Sequence, residues 1–93
     1  MGLIFEWDSK KAIRNHNKHG VSFTQASSVF GDLLLVTIPD EKHSIEERRY
    51  FSLGEDDGGR LLAVAHTIDG DTIRIISARP ATASERRDYE EGG

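Results

Sequence analysis

Beyond Lys42 every basic residue other than histidine is arginine: Arg48, Arg49, Arg60, Arg74, Arg79, Arg86 and Arg87. A guanidinium presents N–H donors in a planar fork that meets two phosphate or carboxylate oxygens at once, so this bias suits an anion site and suits surface ion pairs as well. Arg79, Arg86 and Tyr89 lie within residues 72–91, where a strand is expected to run into a helix. Arg86 and Tyr89 are three apart and share a helix face, so these side chains are expected to converge near one strand end.

A second group is His43, Ser44, Glu46, Glu47 and Arg48. It offers a proton-transfer group, a carboxylate to orient it and an arginine for phosphate, or else simply solvated charges around a turn. The other histidines say less. His16 and His19, at i and i+3 near a helix end, lack a carboxylate motif and fit the favourable place of imidazolium at the negative helix terminus, so no metal site is expected. His66 sits in an apolar strand and reads as a buried histidine. Ser77, His66 and Asp71 have the residue types of a nucleophilic triad, but no G-x-S-x-G surrounds the serine, and no phosphate loop or dinucleotide fingerprint occurs.

These groups need elements to hold them. Leu3, Phe5 and Trp7 alternate as in a first strand. Asp8 should cap a helix to about Lys18, closed by Gly20. Ser22 and Gln25 have capping-box spacing for a second helix, with Phe23, Ala26, Val29 and Phe30 on its apolar face. Residues 33–38 form an apolar run read as an inner strand, followed by a polar loop over residues 40–47. Strands are expected at residues 48–53, 61–67 and 72–78, with Asp69-Gly70 as the hairpin turn between the last two. Paired outward from that turn, Thr67 meets Thr72, His66 meets Ile73, Leu62 meets Ser77 and Arg60 meets Arg79. That register places Arg60, His66, Ser77 and Arg79 on one face and Arg74 on the other. Thr82 and Glu85 form another capping box for a helix over residues 83–91, and the closing Gly92-Gly93 is expected to be disordered.

The chain has 93 residues, 37% of them hydrophobic and 30% charged, which suits one globular domain over residues 1–93. No apolar run approaches the roughly 18 residues of a membrane span, and no leader is read at the amino end. Absence of cysteine excludes disulfides and thiolate metal sites and is compatible with a cytoplasmic protein. The net charge of −4 argues against a nucleic-acid coat protein, though α-helical residues 10–18 are basic on their exposed side.

Phe5-Glu6-Trp7-Asp8, Lys18-His19-Gly20-Val21-Ser22-Phe23, Val29-Phe30, His43-Ser44, Gly59-Arg60-Leu61-Leu62, Arg74-Ile75-Ile76-Ser77-Ala78-Arg79, and Glu85-Arg86 with Tyr89 occur in this order. Together they closely resemble the BrnT family of bacterial toxins over nearly all of residues 5–91. Two positions depart from that family's pattern: Leu33 follows Asp32 where proline is expected, and Pro80 replaces a basic residue.

The resemblance implies an α+β, RelE-like fold, with an antiparallel sheet, two helices near the amino end and one at the carboxyl end. It implies a type II toxin–antitoxin pair: an endoribonuclease that cuts RNA without metal or cofactor and so inhibits translation. A cognate ribbon-helix-helix antitoxin of the BrnA type would neutralise it, and the pair would repress its operon, touching operator DNA only through the antitoxin. Metal-free cleavage uses the ribose 2′-hydroxyl as nucleophile and needs proton transfer and charge stabilisation. The candidates are Arg79 and Arg86, with Arg60, for the phosphate, and His43, Glu47 and Tyr89 for proton transfer, the phenolate being stabilised by nearby arginines. Lys18, His19, Arg48 and Arg74 would add RNA contacts. The other reading is a binding module that holds the antitoxin through the same arginines and does not cleave.

Overall fold

Each expected cap residue opens a helix in the structure, a computed structural model that describes residues 2–92. The Asp8 carboxylate accepts the N–H groups of Lys10 and Lys11 at 2.8 and 3.1 Å and starts α1 (Ser9–His19). The Gly20 N–H closes that helix on the His16 carbonyl. Reciprocal capping boxes start α2 (Phe23–Ser28) at Ser22 and α3 (Ala83–Glu90) at Thr82, satisfying amides that a first helical turn leaves unpaired. Gly93 lies outside the described residues, as does Met1, where the reading for a leader begins. The Gly92 N–H meets the Tyr89 carbonyl at 3.1 Å.

Five strands, β1 (Ile4–Glu6), β2 (Val36–Pro39), β3 (Tyr50–Glu55), β4 (Leu61–Asp69) and β5 (Thr72–Pro80), form one sheet in the order β1-β5-β4-β3-β2. The expected α+β arrangement is present. All pairings are antiparallel except β1 with β5, which is parallel. Leu62, Val64, Ile73, Ile75 and Ala78 form the buried face of β4 and β5 and meet Val21, Phe23, Ala26 and Val29 from the helical layer. No helix among the described residues is long and apolar enough to cross a membrane.

Several local expectations change, the first being that β2 is an edge strand rather than the inner strand expected over residues 33–38. Residues 33–34 form a turn rather than strand, because the Asp32 carboxylate captures the Leu34 N–H at 2.9 Å; Leu33 is left fully exposed and the strand begins only at Val36. The β4–β5 turn is Gly70-Asp71, closed by Asp69 opposite Thr72, which puts glycine at the first turn position with φ of 60°. Mirror-image hairpin turns require that geometry there. An irregularity at Ala65/His66 then shifts the register again, so that Ala63 faces Arg79 and Ala65 faces Ser77. Arg60 therefore does not oppose Arg79.

The buried side chain of α1 is polar. Asn15 donates to the carbonyls of Val21 and Ala78 at 3.0 and 2.9 Å and accepts the Ala78 N–H at 3.0 Å. Since β1 pairs with β5 only as far as Arg74, this amide satisfies the strand edge that β1 leaves bare.

His66 is buried at 1% exposure, edge-on to Phe30 and stacked on Tyr50. Its Nε2 shares a 2.7 Å hydrogen bond with Ser52 Oγ, which in turn lies 2.8 Å from Thr37 Oγ1, while Nδ1 has no hydrogen-bond partner among the described residues. Burial pushes the imidazole down to about 4. The folded state thus keeps His66 neutral where the unfolded chain protonates it, near pH 6.5. Stability should fall as the pH drops from about 6.5 to about 4, by up to roughly 3 kcal/mol. Urea midpoints across that range should show the loss in the wild type and less of it in His66→Gln.

Candidate active site

Strand alternation places Phe51, Ala63, Ala65, Thr67, Arg74, Ser77 and Arg79 on the sheet face opposite the core. Arg74 therefore shares a face with Arg79, and His66 does not. With Ser77 and His66 on opposite faces, the serine-triad reading is closed.

At the carboxyl end of β5, Arg79 donates to both oxygens of Glu85 at 2.7 and 2.9 Å, and its guanidinium lies 5.9 Å from the Phe51 ring centroid. Glu85 also accepts the Thr82 N–H, so one carboxylate both caps α3 and fixes Arg79. The Arg79 hydrogen bonds hold the Glu85 carboxyl down at about 2, and Glu85 raises the Arg79 pKa. The far end of α3 is pinned by Tyr89, whose hydroxyl donates to Asp32 at 2.6 Å. Asp32 pushes the phenol up to about 12. The expected stabilisation of a phenolate by arginine is therefore absent: Tyr89 is held as a neutral donor. Arg86, between these anchors, is exposed and forms no ion pair among the described residues.

Arg60 stands elsewhere. Its Nε lies 4.0 Å from Asp56 and its Nη2 donates to the Gly20 carbonyl at 3.3 Å, beside the end of α1. Arg60 is thus drawn toward Asp56 and the end of α1, whereas Arg79 is drawn toward Glu85.

The loop between β2 and β3 is closed on itself by Ser44, whose hydroxyl donates to the Asp40 carbonyl at 2.7 Å and accepts the Arg49 N–H at 2.9 Å. This latch holds His43, whose Nδ1 lies 2.9 Å from Asp40 Oδ2. A carboxylate accepts, so Nδ1 carries the proton and Nε2 is left to exchange one with solvent or substrate. His43 shares a groove of about 310 Å³ with Ile45, Glu46, Glu47 and Arg49. Glu47 lies 3.5 Å from Arg74, which ties this loop to β5, and Arg48 lies 4.0 Å from Glu41. Lys18 and His19 line a separate groove beside α1.

The candidates thus form an imidazole–carboxylate–arginine group at the loop, and an arginine pair on and beside α3. Four strand steps and the extra residue at the irregularity separate Arg74 from Arg79, roughly 15 Å along β5. Nothing among the described residues gathers three or more metal-ligating side chains.

The model of a family described as the ribonuclease toxin BrnT, of type II toxin–antitoxin systems, matches residues 7–85. The chain belongs to the BrnT family. Among solved structures it is similar to the Brucella abortus ribonuclease toxin BrnT, with 27% identity, a TM-score of 0.64, and coverage of 88% of this chain and 97% of that one. A comparison with curated proteins returns no match. Type II BrnT toxins are one half of a toxin–antitoxin pair, so an antitoxin partner goes with membership.

Several residues that shape this candidate site of the BrnT chain carried little sequence signal. Asp40 stands three before His43, a spacing that offers a carboxylate to the ring. Glu85 is legible as a cap but not as the partner of Arg79, and Arg49 was hidden among adjacent charges. Asp32, which receives Tyr89 and the Glu55 N–H, is brought to them only by the fold.

Proposed function

We propose that this BrnT-family chain is a metal-independent endoribonuclease that turns the ribose 2′-hydroxyl on the adjacent phosphodiester. The observation that carries the reading is the His43–Asp40 hydrogen bond beside a groove shared with Glu47 and Arg49. His43 Nε2 takes the 2′-hydroxyl proton as the 2′-oxygen bonds to phosphorus and the bond from phosphorus to the 5′-oxygen breaks; that oxygen leaves as a hydroxyl, taking a proton from the imidazolium or from water. Arg49, with Arg74 held by Glu47, meets the charge that develops on the phosphate. Arg79 and Arg86 hold the RNA strand further along the same sheet face, where Phe51 offers a surface for a base. Tyr89 fixes α3 rather than moving a proton.

The toxin acts in the cytoplasm, where loss of RNA inhibits translation. A ribbon-helix-helix antitoxin of the BrnA type covers the arginine face, and operator DNA is met through that antitoxin, since this chain carries a net charge of −4. The second reading, an antitoxin-binding module without cleavage, is favoured by the Arg79–Glu85 pair, which already occupies one guanidinium edge.

Incubating the purified chain with RNA in the absence of antitoxin separates the two, because a binder leaves the RNA whole. Arg86→Ala should slow cleavage roughly 10–100-fold, the loss expected for one charged hydrogen bond to phosphate. Unchanged cleavage in both Arg79→Ala and Arg86→Ala would remove these arginines from the site.

A further inference from the structure

Charge is segregated in this chain. α1 carries Lys10, Lys11, Arg14 and Lys18 and no acidic residue, while the rest of the chain holds eight basic residues against all sixteen acidic ones. Lys11, Arg14 and Lys18 recur at i, i+3 and i+7, on one helix face, and none forms an ion pair among the described residues. That face is one wall of a groove of about 320 Å³ whose opposite wall is Ile76 and Ser77 of β5. Ser77 shares its sheet face with Arg74 and Arg79, so the groove opens onto the surface assigned above to RNA. Lys11 and Lys18 stand roughly 10 Å apart along the helix, a span over which an extended strand presents more than one phosphate.

We propose that the groove between α1 and Ile76-Ser77 is a phosphate track for single-stranded RNA, with Lys11 and Arg14 as its unassigned contacts. The inference rests on the ribonuclease reading and extends it to a stretch of substrate beyond the scissile bond. Asn15, the amide in the groove lining, is spent on Val21 and Ala78, and three of the remaining lining side chains are cationic, so the groove contributes chiefly through phosphate charge. An acidic protein segment is the competing occupant. RNA is favoured because the groove continues into the face bearing Arg74 and Arg79.

The test measures anisotropy of a labelled single-stranded RNA carrying 2′-O-methyl riboses throughout, which can bind but cannot be cut, from about 50 to 200 mM salt. Lys11→Gln/Arg14→Gln should weaken binding and reduce the slope of log affinity against log salt by about 1.4, two phosphate contacts' worth. Lys10→Gln/Arg87→Gln removes the same charge away from the groove and should change the slope by less than half as much. Equal slopes in the two double variants would overturn the proposal. So would a wild type that binds polyglutamate and not this RNA. Cleavage of the unmethylated RNA is followed in parallel. Cutting without the slope difference removes the track alone, and the slope difference without cutting removes the catalytic reading alone.

Discussion

His43→Gln should fold normally and cut RNA about 10²–10⁴-fold more slowly, the range over which a positioned acid–base group acts. The side chain is 55% exposed, so its replacement opens no cavity. What goes is the ring nitrogen that Asp40 leaves free, since the Asp40 carboxylate fixes the proton on Nδ1. Asp40→Asn should have a smaller effect of the same sign, because the amide can present its N–H to the ring and favour the wrong tautomer. Single-turnover cleavage rates for both variants, beside their thermal melts, would check this. Wild-type rates in His43→Gln would show that the loop carries no proton transfer and would send the search to the α3 end.

The largest expected loss of stability comes from Asn15→Leu. One amide satisfies the Ala78 N–H, the Ala78 carbonyl and the Val21 carbonyl, and it is only 7% exposed. Leucine cannot hydrogen-bond, so buried backbone groups on two elements lose their partners, at a cost of about 3–5 kcal/mol. A domain of this size has about 5–15 kcal/mol in all, so the variant should be partly unfolded at physiological temperature. Asn15→Asp should be no better, because it removes both donors and buries a charge. A urea midpoint equal to that of the wild type would mean that water replaces the amide at the β5 edge.

Much of the architecture could be read from local chemistry. Asp8, Ser22 and Thr82 announce the helix starts, since an N-cap side chain acts on amides within its own first turn. The β-branched and apolar runs of β4 and β5 announce strands. Register was not readable, because a hairpin slides as a unit: moving the turn from Asp69-Gly70 to Gly70-Asp71, and adding one irregularity, brought Arg74 to the face of Arg79 and took His66 away from it. The apolar run at Leu33-Leu34 misled for a related reason, as the Asx turn at Asp32 outweighed strand propensity.

The site was legible in its residue types and not in their pairing. His43, Glu47, Arg79 and Arg86 are all on or beside one sheet face, but Arg79 is committed to Glu85 and Tyr89 to Asp32 by contacts six and 57 residues apart in sequence. Neither pair falls within one helix or strand, so neither pairing shows as a periodic spacing. Asn15 was missed because asparagine in a basic amphipathic helix looks like surface.

Cleavage of one RNA oligonucleotide, with and without a single 2′-deoxy substitution at its cut site, in the presence of excess EDTA, tests the central claim most directly. The all-ribose strand should be cut to a 2′,3′-cyclic phosphate and a 5′-hydroxyl, and the substituted strand should stay whole at that position. Cutting at the deoxy site, or cutting that stops when EDTA is added, would contradict 2′-hydroxyl attack driven by this chain's own histidine and arginines.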